Sequence, residues 1–135
     1  MKNNAYVGAV LSDPHNGAFD AKQWFYELDE GFLEYIDKLP ILDFVTITGD
    51  FFDTKISVNS EHAKYALRFL SKLIKICANK SAKLRIIKGT ESHDNKQLEM
   101  FDGLRSVAPC DFRVIHTVEK EWLFDDLHVL YILVS

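Results

Sequence analysis

Three short apolar runs, at positions 6–11, 44–48 and 84–88, each break off at a loop carrying acids or histidines, and segments of helical period lie between them. That alternation leaves few folds open. A strand, helix, strand, helix, strand order favours parallel pairing through crossover helices, and in an open α/β sheet the loops at the strand carboxyl ends share one edge. Residues 6–11 are nearly continuously apolar, which suits a central strand covered on both faces. The predicted fold class is therefore α/β, a layered parallel sheet with flanking helices.

The first helix is read from Phe25, Leu28, Phe32, Tyr35, Ile36 and Leu39, with Asp20 as its cap and Pro40 as its stop. Trp24, Phe25, Phe32 and Tyr35 form an aromatic stripe assigned to core packing. Gly31 costs this helix about 1 kcal/mol relative to Ala, which packing must offset. The second helix follows Ala63, Ala66, Leu67, Leu70, Ile74 and Cys77, capped by Asn59 or Ser60, with Lys64, Arg68, Lys72 and Lys75 on a solvated face. A short helix through Gln97, Leu98, Phe101 and Leu104 follows the third loop. Beyond Asp111, runs at 112–116, 118–124 and 127–134 read as strands without intervening helices, with Asp125 and Asp126 as a turn. The last run stops within apolar residues, so the chain is expected to end before its fold does.

A length of 135 residues suits a single domain over 1–135. Its 16 basic and 20 acidic residues give a formal charge of −4, which excludes the positive field of an unspecific binder of phosphate backbones. Cys77 and Cys110 fit neither a zinc ribbon nor a disulfide framework and are expected as reduced thiols. No run reaches the roughly 20 apolar residues of a membrane span, and 5–11 is too short for a signal core. The expectation is a soluble, cytoplasmic chain with no membrane partner.

The loops carry the chemistry. Asp13 and His15, one residue apart, can point the same way, and Asp50 arrives from the neighbouring strand end with two oxygens able to bridge two cations. His93, from the third strand end, has two open roles: metal ligand, or proton donor to a leaving oxygen. Pro14 and Gly17 shape the first loop, and Gly49 lets the backbone approach closely. His62, His116 and His128 are read as a surface residue and two strand histidines.

The order Asp13-x-His15, then Gly49-Asp50-x-x-Asp53, then a turn ending in His93-Asp94 resembles the first three motifs of the calcineurin-like metallophosphoesterases. The stretch Thr48-Gly49-Asp50-Phe51-Phe52-Asp53 before a long helix is most similar to the nuclease subunits of SbcD-type DNA repair exonucleases, bacterial or phage-encoded. The likeness covers roughly residues 5–104. It implies a metallophosphoesterase-type layered sheet, here its N-terminal portion, and metal-dependent phosphodiester hydrolysis on DNA in repair or recombination. It implies two divalent ions, manganese foremost, with Fe2+, Zn2+ or Mg2+ as alternatives. Asp13 and His15 would hold the first ion, Asp50 would bridge both, His93 would be the catalytic acid with Asp94 orienting it, and Asp53 would support the ligands from behind. DNA, an SbcC-type ATPase subunit and a second copy of the chain are the partners it suggests.

Two departures qualify the match. The third motif usually reads Gly-Asn-His-Asp or Gly-Asn-His-Glu, whereas here it is Gly89-Thr90-Glu91-Ser92-His93-Asp94, with Ser92 as the metal ligand in place of Asn and Glu91 as the other candidate. The later Gly-His-x-His motif is absent, so the site is expected to be incomplete and turnover by this chain alone is in question. Three alternatives follow: a catalytically silent interaction domain, a phosphomonoesterase of the same family, and a haloacid-dehalogenase-type phosphatase. The last wants Asp where this chain has His15.

Overall fold

The structure is a computed structural model that describes residues 5–94 and 96–133. Four parallel strands, β1 (Gly8–Leu11), β2 (Phe44–Ile47), β3 (Lys83–Ile87) and β4 (Phe112–Ile115), lie side by side in that order. Registered neighbours share a face: Ala9, Val45, Leu84 and Phe112 point one way, as do Leu11, Ile47, Ile86 and Val114 two residues on. This face meets the helices. Val45, Ile47, Leu84 and Ile86 are fully buried there, beneath Phe51, Phe69, Leu70 and Leu73.

The sheet corrects the sequence reading at β1, which lies at the edge of the sheet and not at its centre. Val10 is 61% exposed. An apolar run was taken to mean burial on both faces, but only the face bearing Ala9 and Leu11 packs on the core. As expected, a short helix, α4 (Glu99–Asp102), follows the third loop and no helix separates the strands past Asp111; the first of these, β4, is the fourth parallel strand. Among the described residues, only β5 (Glu119–Phe124) and β6 (Leu127–Tyr131) form an antiparallel hairpin. The last strand, expected over 127–134, stops at Tyr131, with Ile132 and Leu133 outside it; Val134 lies outside the described residues.

The expected first helix is three pieces, α1 (Ala21–Leu28), a π-helical turn (Asp29–Leu33) and α2 (Glu34–Asp37). Asp20 caps it, accepting from the Gln23 amide at 3.0 Å. A π turn inserts one residue and rotates everything after it by about a quarter turn. The aromatic stripe therefore loses Tyr35, which is 68% exposed, while Leu33 and Ile36 are buried. Gly31 falls in this turn and faces open space, so no packing offsets its helix penalty.

In α3 (Glu61–Lys80) Ser60 is the cap, accepting from the Ala63 amide at 3.2 Å. Its basic side is more than a solvated face. The Arg68 guanidinium lies 5.1 Å from the Phe25 ring centre, and Lys72 pairs with Asp29 at 2.5 Å, so cations help to join α3 to α1. Both cysteines are free; Cys77 is buried, and that burial, with Cys110 nearby, pushes its thiol up to about 12. Among the described residues no helix is long and apolar enough to cross a membrane.

The second face of the sheet is joined to the hairpin by charge. Arg85, 1% exposed, reaches Glu121 with two nitrogens at 2.9 and 2.8 Å and Asp111 Oδ1 at 3.1 Å. Arg113 meets the same Glu121 at 3.2 Å, and the Tyr131 hydroxyl donates to it at 2.7 Å. The Arg85 hydrogen bond is the main cause that holds the Glu121 carboxyl down to about 2, against its own partial burial.

Candidate metal centre

The loops after β1 and β2 stay paired when the strands end. His15 N–H donates to the Asp50 carbonyl at 3.1 Å, Asn16 to Phe51 at 2.7 Å, and Asp53 to Asn16 at 2.8 Å. Beyond Asp50, Phe51 and Phe52 plunge into the core with no exposed surface, pinning the second loop from below. Where the sheet gives way to this outer ladder, Asp13, His15 and Asp50 all take left-handed backbone conformations, with φ of 50°, 51° and 47°. Each such residue costs on the order of 1–3 kcal/mol and persists only where its surroundings over-determine it.

Those surroundings are visible. The indole N–H of buried Trp24 donates to the Pro14 carbonyl at 2.7 Å, between Asp13 and His15. Gly49, at φ 110°, and Gly89 lie back to back. A Cβ on Gly49 would sit 3.1 Å from the Gly89 Cα, and one on Gly89 would sit 2.1 Å from both the Asp50 amide nitrogen and Oδ1. Any side chain at position 89 would evict Asp50.

Asp53 orients both histidines. Its carboxylate is 3.1 Å from His15 Nδ1, and its backbone carbonyl is 2.5 Å from His93 Nδ1. A carbonyl oxygen can only accept, so His93 carries its proton on Nδ1; the same holds for His15 facing a carboxylate. In the neutral imidazole this tautomer leaves the lone pair on Nε2, and each Nε2 is 4.0 Å from the same atom, Asp50 Oδ2. The ring centres are 5.0 Å apart, and the three donor atoms lie within 4.8 Å of one another. Two bonds of about 2.1 Å to a common cation put their donors about 3.4 Å apart at a tetrahedral angle, so the three donors would have to draw together by roughly half an ångström to share one ion. Two imidazole nitrogens and one carboxylate oxygen, each ring backed by an acceptor on its far side, are a donor set suited to a borderline divalent cation.

The remaining expected site residues are placed differently. Asp13 is exposed and lies outside the three-donor cluster, though it lines a cavity of about 230 Å³ beside Thr48, Asp50, Gly89 and Thr90. Neither Ser92 nor Glu91 joins the cluster: Ser92 Oγ is 3.3 Å from Thr90 Oγ1, and Glu91 pairs with Lys88. Thr90 makes the contact instead. Its amide and hydroxyl approach Asp50 Oδ1 at 2.8 and 3.1 Å, engaging the oxygen expected to bridge to a second ion and leaving Oδ2 for the cluster. Asp94 is fully buried, its oxygens accepting from the Phe52 and Gly89 amides at 3.1 and 2.5 Å. It fastens the second loop to the third, while Asp53 takes the orienting role expected of Asp94. Burial raises the Asp94 pKa, and the amides oppose that rise.

Sequence reading passed over three residues here. Trp24 was assigned to packing alone, although a buried indole needs an acceptor and thereby hints at a polar neighbour. Thr90 carried no signal beyond following Gly89. Gln97 was read as a helix residue, yet its amide donates to the carbonyls of Thr54 at 3.0 Å and His93 at 2.9 Å and accepts from Ile56 at 2.7 Å. His62, expected at the surface, is half-buried, and its carbonyl accepts from Asn16 at 3.1 Å. His116 pairs with Asp102 at 3.0 Å and His128 stacks on Trp122 at 4.4 Å; neither belongs to the cluster.

Replacing Asp53 by Ala removes the acceptor behind His15 and loosens the carbonyl behind His93. Divalent cation affinity, read by titration calorimetry, is expected to fall about 10- to 100-fold while the fold survives. Compared with known protein families and with curated proteins, the chain matches none.

Proposed function

We propose that this chain is a divalent-cation-dependent phosphodiesterase acting on nucleic acid, with the cation held by His15, Asp50 and His93, on a metallophosphoesterase-type layered sheet. One observation carries the reading: two imidazole Nε2 atoms stand 4.0 Å from one carboxylate oxygen, with both far-side nitrogens committed to Asp53. The order of the three loops, and their convergence at one edge of a parallel sheet, support the family likeness.

Bound there, the cation supplies Lewis-acid polarisation of a phosphoryl oxygen and lowers the pKa of water. The protein's own contribution is placement. Asp53 fixes both tautomers, Thr90 fixes the Asp50 rotamer, and Asp94 binds the two loops to each other. Paired imidazoles favour manganese, iron or zinc over magnesium, and manganese is the ion we assign. The donors suit one cation; a second would need Asp13 to move inward. An imidazole that ligates a cation through Nε2 has no proton there to give, so His93 is assigned as ligand in place of general acid.

Manganese titration of the wild type and of His93→Ala tests this. The expected result is binding near one ion per chain, weakened at least tenfold by the substitution. Unchanged affinity with lowered turnover would return His93 to the acid role. A chain that binds manganese but leaves both an oligonucleotide and bis(p-nitrophenyl) phosphate intact would be the silent domain, a reading favoured by the count of only three protein donors among the described residues.

A further inference from the structure

Beside the metal cluster lies a second recess, formed where the same two loops run on past their site residues. Lys55, Ile56 and Val58 follow Asp53 on one wall; Lys96, Gln97 and Met100 follow Asp94 on the other, enclosing about 320 Å³. Gln97 is the shared floor. Its side chain holds the Ile56 amide, the Thr54 carbonyl and the His93 carbonyl, so the recess is rigidly connected to the backbone that carries His93.

The chemistry of its walls is specific. Ile56, Val58 and Met100 give an apolar surface, and Val58 is 72% exposed, an unfavourable place for a bare side chain. At the rim, Lys55 and Lys96 are exposed and neither forms an ion pair with a carboxylate of the described residues. Two uncompensated ammonium groups on a chain of formal charge −4 mark this spot for an anion. An apolar pocket with a cationic rim matches one nucleotide unit, whose base has an apolar face and whose phosphate carries the charge.

We infer that this recess is a nucleotide subsite next to the scissile phosphodiester, and that the substrate is a single-stranded nucleic acid or a frayed end. This rests on the phosphodiesterase reading above and deepens it. A base inside a duplex has both faces stacked, so only an unpaired one can offer its face to Ile56, Val58 and Met100. The two lysines then fix the flanking phosphates while the adjoining linkage reaches His15, Asp50 and His93. The subsite also gives a chain with net negative charge a local hold on a polyanion.

Binding in a chelator separates this inference from the hydrolase reading, because it needs neither ion nor turnover. Anisotropy of a labelled twelve-residue oligothymidylate would be measured for the full chain, for Lys55→Glu with Lys96→Glu, and for Arg105→Glu with Lys120→Glu, which changes net charge equally elsewhere. The recess variant is expected to bind at least tenfold more weakly, with the slope of log affinity against log salt reduced by about 1 to 2. The control is expected to lose less than threefold. Equal losses in the two variants would show delocalised attraction and overturn the subsite. Competition by thymidine monophosphate as strong as by the unlabelled oligomer would overturn the assignment to a strand. Failure of manganese binding alone, with the recess variant still impaired, would sink the hydrolase reading and leave the subsite standing.

Discussion

Asp50→Asn is expected to abolish measurable divalent cation binding and at the same time to raise thermal stability. Titration calorimetry should show at least a hundredfold loss of manganese affinity, since the cluster keeps two neutral imidazoles and loses its only anion. The Asn side-chain oxygen can still accept from the Thr90 amide and hydroxyl, which now meet Asp50 Oδ1 at 2.8 and 3.1 Å, so the loop keeps its shape. Position 50 is at φ 47°, a conformation Asn tolerates better than Asp. The acid also lies beside Asp94, whose raised pKa includes repulsion from Asp50. Removing that charge and easing the backbone should stabilise the fold by about 0.5–1 kcal/mol. A midpoint that drops in Asp50→Asn would show that the acid is structural, and would remove the argument that this loop holds strain for binding.

Arg85→Ala is expected to cost about 2–3 kcal/mol, because Glu121 loses its two shortest cationic contacts and keeps only Arg113 at 3.2 Å and the Tyr131 hydroxyl, while half-exposed Asp111 turns to water. The Glu121 carboxyl, at about 2 in the folded chain against an ordinary value of 4.5, is the group whose protonation reports this. Its folded value is depressed, so its stabilisation is complete above about pH 4.5 and is lost as pH falls from there through about 2. With solvent screening of this partly buried carboxyl discounted, the difference is worth about 2 kcal/mol. Urea midpoints at about pH 6 and pH 3 should therefore differ markedly in the wild type and far less in Arg85→Ala. Equal pH sensitivity in both proteins would mean that other carboxylates dominate and that the Arg85–Glu121 clamp contributes little.

How far the sequence could be read depended on which interactions are local. Asp20 and Ser60 are caps acting over three residues, and their helices begin where the residue types say. The three loops were legible for the same reason, since each follows an apolar run directly. The π turn at Asp29–Leu33 was not, because its only effect on the sequence is a one-residue slip in phase, which a fixed 3.6 period absorbs by misplacing Tyr35. The edge position of β1 was hidden as well, because an apolar run reads alike whether one face or two are covered.

Within the cluster, residue types gave the donors but not their distribution. Asp13 was as good a candidate as Asp50 until the left-handed turns decided which side chains converge. The exchange of orienting role from Asp94 to Asp53 follows from backbone groups, Phe52 N–H, Gly89 N–H and Asp53 C=O, which have no residue identity to read.

Because one residue supports both rings, their orientations are not independent variables. Any excursion that frees the Phe52–Thr54 backbone releases His15 through the carboxylate and His93 through the carbonyl together, so partly competent arrangements are scarce. Occupancy should then track the opening equilibrium of that three-residue stretch, and slow amide exchange at Asp53 becomes a direct gauge of how ready the centre is to load.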